Sequence, residues 1–147
     1  MSYYGENKGT PLTVPFAKTE RMREVLFNGT PLPGCRRFTI YFQHDTYHEP
    51  ANIELAFDVR FNYGEDHNVI VCNEKFEGNW GKEYREIPFQ FTAQATFFIR
   101  IEVYDNCYRI FLDGRQIGLF ERRRNGAKPV NTIRIAHDVG IGSLQII

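Results

Sequence analysis

The chain has 147 residues, and its 18 Lys plus Arg balance its 18 Asp plus Glu, so the formal charge at pH 7 is zero. A neutral chain has no general attraction for DNA or anionic lipid, so we expect no nucleic-acid partner and no membrane insertion. The length suits one domain. Thirteen Phe, eight Tyr and one Trp, without a heptad pattern, favour β-structure over a helical bundle.

The N-terminal segment lacks the features of a targeting signal, because no apolar stretch follows a basic region. We predict a flexible arm over residues 1–12 and a single domain over residues 13–147. The three cysteines are odd in number and lack the spacing of a zinc site, which favours free thiols, no bound metal and synthesis in the cytoplasm: Cys35, Cys72 and Cys107.

Short stretches of alternating apolar and polar residues follow one another along the rest of the chain. The first lies around Phe38, Ile40 and Phe42, the next covers residues 53–61, and two more meet at Asp105-Asn106. A period of two gives each strand one dry and one wet face. Pairs such as Asp105-Asn106 and Asp113-Gly114 between alternating stretches predict hairpins whose turn residues adopt positive φ.

Further strands are expected around residues 133–135 and 139–147, which brings the total to ten or eleven, and no amphipathic helix of three turns is apparent. Evenly spaced strands with one apolar face each must bury that face against another layer. The predicted fold is therefore all-β, a two-sheet antiparallel β-sandwich of the jelly-roll type.

Three consecutive segments carry polar side chains of matching parity, which would share one wet face if the segments are neighbours. These residues would form a shallow polar patch of Asp58, Arg60, Asn73, Glu83 and Arg85, with Trp80 at its edge. Guanidinium, amide and carboxylate groups can grip adjacent sugar hydroxyls, and an indole offers a flat partner for the C–H face of a pyranose. A solvated sheet face with cross-strand ion pairs and a core Trp is the alternative interpretation.

Val71-Cys72-Asn73 is followed by Trp80-Gly81-x-Glu83-x-Arg85-Glu86, and shorter matches occur at Val14-Pro15, Arg37-Phe38, Pro88-Phe89 and Phe111-Leu112-Asp113-Gly114. In this order and spacing, these residues resemble the carbohydrate-recognition domain of the galectins, the β-galactoside-binding lectins. Only the first dozen residues lie outside the likeness. The resemblance implies a galectin- or concanavalin-like sandwich that binds glycans without catalysis, cofactor or metal.

The resemblance also implies sugar contacts for five of the patch residues. Trp80 would stack on the galactose ring, and Asn73 would meet its 6-hydroxyl. Arg60 and Glu83 would bridge toward the second sugar, while Arg85 would steady Glu83 and reach that second sugar as well.

The chain departs from the family pattern where the galectins have His-x-Asn-Pro-Arg, because it has Ala56-Phe57-Asp58-Val59-Arg60, and a further His is replaced around Gly64. In the family, that His and Asn help to hold the axial 4-hydroxyl of galactose. Ala56 has no hydrogen-bonding side chain, and Asp58 accepts hydrogen bonds but cannot donate them. We therefore expect altered or weakened lactose binding.

Two other functions compete with glycan binding. One is a galectin-like protein-interaction or dimerisation module that has lost sugar binding. The other is a glycosidase, but Glu83 between two arginines is suited to remain a carboxylate and not to act as a general acid, so we expect no enzyme.

The resemblance further implies a homodimer, and export to the extracellular space without a signal peptide. Unpaired strand edges give a physical reason for self-association. Arg122-Arg123-Arg124 is interpreted as a solvated basic run.

Overall fold

The computed structural model describes residues 2–8, 10–16, 22–123 and 129–147. These residues form twelve strands and no helix: β1 (Ser2–Lys8), β2 (Leu12–Pro15), β3 (Glu24–Pro31), β4 (Arg37–Gln43), β5 (Ile53–Tyr63), β6 (Asp66–Phe76), β7 (Asn79–Trp80), β8 (Phe97–Val103), β9 (Cys107–Leu112), β10 (Arg115–Glu121), β11 (Thr132–His137) and β12 (Val139–Ile146). The predicted all-β class is therefore confirmed, with one or two strands more than expected.

The strands form two antiparallel sheets of six strands each. Sheet A has the order β1-β12-β3-β8-β9-β10, and sheet B has the order β2-β11-β4-β5-β6-β7. Of the ten neighbouring pairs among the described strands, five join consecutive strands and five join strands distant in sequence, as in a sandwich whose chain passes between layers. Within the described ranges, no helix is long and apolar enough to span a membrane.

The core lies between the sheets and is rich in aromatic rings. Phe38 of sheet B is fully buried, and its ring stacks on Phe97 of sheet A at a centroid distance of 5.0 Å. Phe91, from the connection before β8, meets Phe38 edge-on at 5.5 Å. Burying large apolar side chains stabilises the fold by about 1.5–3 kcal/mol each, so this ring cluster contributes strongly to holding the sheets together.

The pairing of β4, β5 and β6 places their polar residues on the outer face of sheet B. Thr39 lies opposite Asp58, and Asp58 lies opposite Val71 on the third strand. Two residues before Asp58, Ala56 lies opposite Asn73. Because side chains alternate between faces, this register brings every second residue of three strands onto one surface.

Two local expectations differ from the structure. Ser2–Lys8, predicted within a flexible arm, forms β1, because its backbone pairs with β12 from Ser2 opposite Gln145 to Lys8 opposite Ile141. Asp113 and Gly114 have the positive φ expected of a hairpin turn, whereas Asp105 and Asn106 connect β8 to β9 without it. That connection is a longer loop, closed by the Tyr104 N–H donating to the Cys107 carbonyl at 2.9 Å.

Candidate functional site

The outer face of sheet B carries a groove of about 520 Å³, here called the sheet B groove. Its lining comes from β4, β5, β6, β7 and the segment after β7: Arg37, Thr39, Tyr41, Ala56, Asp58, Arg60, Tyr63, Val71, Asn73, Trp80, Gly81 and Glu83. Five of the six predicted site residues thus lie together, and the sixth, Arg85, contacts Glu83 at the rim. The structure gives a groove where the sequence predicts a shallow patch.

Six charged side chains of alternating sign run along the groove, and we call them the ion chain: Arg37, Asp58, Arg60, Asp66, Arg85 and Glu83. The contacts between successive members are 3.5, 2.8, 2.6, 2.9 and 2.8 Å in that order. Three cations and three anions therefore balance. A network of this kind holds long side chains in defined positions before any ligand arrives.

The inner end of the ion chain is anchored at Asp58, which is only 5% exposed. One carboxylate oxygen accepts a hydrogen bond from the Thr39 hydroxyl at 2.7 Å, and the other accepts from Nε of Arg60 at 2.8 Å and from Arg37 at 3.5 Å. Burial lowers the pKa of Arg60, but its hydrogen bonds to Asp58 and Asp66 outweigh that effect and raise it. Both carboxylate oxygens of Asp58 thus accept hydrogen bonds from within the protein.

The outer end of the ion chain is held by Asp66, which the sequence analysis did not identify. Arg85 donates to both oxygens of Asp66, at 2.9 and 3.2 Å, and to Oε1 of Glu83 at 2.8 and 3.1 Å. Oε2 of Glu83 lies 3.8 Å from Arg60 and stays open toward the groove, since the Glu83 side chain is 43% exposed. Glu83 is therefore the most accessible carboxylate acceptor of the ion chain.

Glu83 and Arg85 point the same way, as predicted, but not because they lie in a regular strand. The segment touches β6 through a single bridge, in which Tyr84 and Cys72 exchange hydrogen bonds of 2.8 and 2.9 Å. One bridge is enough to fix the parity of the residues on either side of Tyr84.

Trp80 is presented by a tight hairpin between β6 and β7. Glu77 and Gly78 both have positive φ, at 47° and 85°, which is the geometry of a type I′ turn. The turn brings Trp80 opposite Lys75, whose ammonium lies 5.6 Å from the ring centroid. The indole remains 50% exposed, so it is available as a platform and is not part of the core.

The amide of Asn73 is held on both sides. Its Nδ2 donates to the Gly81 carbonyl at 2.9 Å, and its Oδ1 accepts from the Glu74 N–H at 2.8 Å and from Nη1 of Arg123 at 3.3 Å. An amide nitrogen carries two hydrogens, so one N–H of Asn73 is left for the groove. Asn73 therefore offers a donor to a ligand.

Several lining residues were not identified by the sequence analysis. Thr39 and Tyr41 have the parity of the wet face of β4, so the alternation and the pairing of β4 with β5 could have found them. Arg37 packs its guanidinium 4.0 Å from the ring of Tyr63. No sequence pattern predicts that Tyr63 lines the groove, because its position depends on the hairpin that joins β5 and β6.

The arrangement suits reversible recognition of a polyhydroxylated ligand. The groove combines an exposed indole, N–H donors and one accessible carboxylate over a floor formed by strands that pack on the core. Within the described ranges, no three His, Cys, Asp or Glu side chains come together as metal ligands. The three cysteines are free.

The galactoside-binding lectin family model matches residues 12–146, so the chain belongs to the galectin family. Mouse galectin-3 is 27% identical over 146 residues, which cover 95% of this chain and 52% of the mouse protein. The chain thus spans about half the length of the galectin-3 proteins it matches. The matched family is one of galactoside-binding lectins, which are non-catalytic.

Solved galectin structures share the fold. CG-16, a homodimeric agglutinin from chicken liver, superposes with a TM-score of 0.82 at 22% identity, covering 94% of this chain and 100% of CG-16. Congerin II, in a structure with lactose and MES, gives a TM-score of 0.80 at 25% identity, with coverages of 94% and 100%. The predicted jelly-roll sandwich is confirmed.

The ion chain makes the Asp66 carboxyl a measurable reporter. Hydrogen bonds from Arg85 and Arg60 lower the pKa of Asp66 from its ordinary 3.8 to about 2. A lowered pKa means that these contacts stabilise the fold above pH about 4 and lose that contribution as the pH falls toward 2. We expect a carbon-detected NMR titration of the wild type to give a midpoint of about 2.

In that titration, Arg85→Ala should move the Asp66 midpoint upward toward 3.8. Arg100→Ala is the matched control, because Arg100 pairs with Glu102 on sheet A and does not contact the ion chain. A midpoint near 3.8 in the wild type would show that the ion chain does not exist in solution.

Proposed function

We propose that this protein is a lectin that binds β-galactoside glycans in the sheet B groove, with altered or weakened affinity for lactose. The observation that carries the proposal is the half-exposed indole of Trp80, placed beside Asn73 and the accessible carboxylate of Glu83. Congerin II, which has the same fold, was solved with lactose. Arg60 and Arg85, through the ion chain, would hold Glu83 ready to accept from sugar hydroxyls.

The lactose preference is expected to change because of two residues on the groove floor. Ala56, 5% exposed, has no polar side-chain atom to offer, and Asp58 already accepts from Thr39, Arg60 and Arg37. The family resemblance gives the equivalent His and Asn the task of holding the axial 4-hydroxyl. Losing one neutral hydrogen bond costs about 0.5–1.5 kcal/mol, or a factor of roughly 2 to 12 in Kd.

The same two residues favour a second candidate function, a galectin-like protein-interaction module without sugar binding. In that case, the groove would keep its ion chain as a structural element of sheet B. Titration calorimetry with lactose and with longer galactosides separates the two functions, because the interaction module would give no heat of binding with any of them.

Trp80→Ala tests the stacking platform. We expect binding on a glycan array to fall to background and Kd in calorimetry to rise about tenfold or more, because the apolar face of the sugar loses its partner. Tyr104→Ala is the matched control, since Tyr104 is an exposed aromatic residue beside sheet A, 44% accessible. A glycan profile that is identical for the wild type and Trp80→Ala would contradict the proposal.

Ala56→His tests the altered specificity. The new imidazole would lie on the floor of the groove between Tyr41 and Asn73, the residues opposite position 56. We expect lactose affinity to rise by a factor of roughly 2 to 12, the value of one restored hydrogen bond. Ala136→His, on the neighbouring part of sheet B, is the control; equal or weaker lactose binding by Ala56→His would contradict this explanation.

We also propose a homodimer and, as for the family, cytoplasmic synthesis with export that uses no signal peptide. The four outer strands of the sheets, among the described residues, are β1, β2, β7 and β10. An edge strand carries unpaired backbone groups that a second copy can pair. Sedimentation velocity should therefore show a dimer at micromolar concentration, and a monomer across the concentration range would contradict self-association.

A further inference from the structure

The sequence analysis interprets the two arginines after β10 as part of a solvated run, and the structure shows that both also make hydrogen bonds, although Arg123 remains exposed. Arg122 donates to Glu54 at 2.7 Å and to the Tyr104 carbonyl at 2.9 Å. Arg123 donates to Oδ1 of Asn73 and to the Lys82 carbonyl. Arg124 lies outside the described residues. Both described arginines are thus engaged with other elements of the sandwich.

Arg123 contacts a residue of the sheet B groove without lining the groove itself. It follows β10, an edge strand of sheet A, whereas Asn73 lies on β6 of sheet B. Its side chain does not line the sheet B groove but borders a separate, water-sized cavity, together with Glu74. Its guanidinium carbon lies 5.0 Å from the ring centroid of Phe120, which supports the side chain along its length.

The two hydrogen bonds of Arg123 join the two parts of the groove wall that carry Asn73 and Trp80. One nitrogen holds the Asn73 amide, and the other holds the backbone of Lys82, two residues after Trp80. A planar guanidinium makes both contacts from two nitrogens in fixed geometry, whereas an ammonium would have to reach both acceptors from one nitrogen. Arg123 therefore couples the amide donor to the loop that follows the indole.

Gly81 provides independent support for this arrangement. A Cβ at position 81 would lie 2.8 Å from Nη1 of Arg123 and 3.2 Å from Oδ1 of Asn73. The absence of a side chain is what lets the guanidinium, the amide and the loop backbone approach one another. A side chain at position 81 would therefore displace the Arg123 guanidinium from its place beside Asn73.

From this geometry we infer that Arg123 is a positioning residue of the glycan site: it fixes the Asn73 amide with an N–H toward the groove and ties the Trp80 loop to it. The inference rests on the proposed function for its effect on affinity, but the positioning itself can be measured without a ligand. Because Oδ1 of Asn73 is occupied by Arg123 and the Glu74 N–H, rotation of the amide would leave two donors facing its nitrogen.

The first experiment observes the Asn73 side-chain amide by NMR in the unliganded full-length chain labelled with ¹⁵N. Its two N–H signals are assigned by their loss in Asn73→Ala. We expect Arg123→Ala to shift and broaden them, Arg123→Lys to restore them in part, and Arg115→Ala, which removes an exposed arginine at the start of the preceding strand β10, to leave them unchanged. Unchanged Asn73 signals in Arg123→Ala would overturn the inference.

The second experiment measures galactoside binding in a double-mutant cycle. Arg123→Ala should raise Kd about fivefold in the wild-type background, and by less than about twofold when Asn73 is already alanine, because the contact no longer exists. Equal effects in both backgrounds, or none in either, would contradict a role through Asn73. A general loss of folding would instead lower the melting temperature of Arg123→Ala, which is measured beside that of the Arg115→Ala control.

The two experiments separate this inference from the proposed function. If the wild type binds no galactoside, the proposed function fails, and the Asn73 signals alone decide whether Arg123 holds the amide. If galactosides bind and Arg123→Ala changes the Asn73 signals without changing Kd, the positioning of Asn73 has no part in recognition, and the inference fails while the proposed function stands.

Discussion

The candidate site depends on the ion chain, and the ion chain depends on Asp58. A carboxylate that is 5% exposed is costly to bury unless its charge is paired and its oxygens accept hydrogen bonds, and Asp58 meets both conditions through Thr39 and Arg60. Contacts at the exposed end, between Arg85 and Glu83, contribute less to stability because water screens them. The ion chain is therefore anchored in sheet B. The contacts at its outer end orient the side chains more than they stabilise the fold.

This anchoring matters because the groove has little else to order its long side chains. The sheet pairing sets where each backbone lies, but a free Arg or Glu side chain would lose conformational entropy on meeting a ligand. Asp66, held by Arg60 and Arg85, removes that freedom in advance. Arg123 would do the same for Asn73 from the opposite sheet, so both polar walls of the groove are braced by residues that do not face its centre.

The fold and most of the site follow from simple patterns in the chain. Alternation places Asp58 and Arg60 on one face, and the same rule extends to Thr39 once β4 is paired with β5. Asp66 and Arg123 could not be predicted in this way. The position of Asp66 depends on the turn between β5 and β6, and the contact of Arg123 crosses between sheets and spans 50 residues of sequence. Periodicity reports the face of a side chain but not its partner across a turn or between layers.

The equal number of guanidinium and carboxylate groups in the ion chain has a consequence for how salt affects ligand binding. A charged ligand approaching these six side chains meets no net long-range attraction or repulsion, and an uncharged ligand meets none in any case, so dissolved salt has little to screen. Recognition by this surface would thus be nearly indifferent to ionic strength. A neutral sugar would be held about equally well in dilute and in concentrated salt.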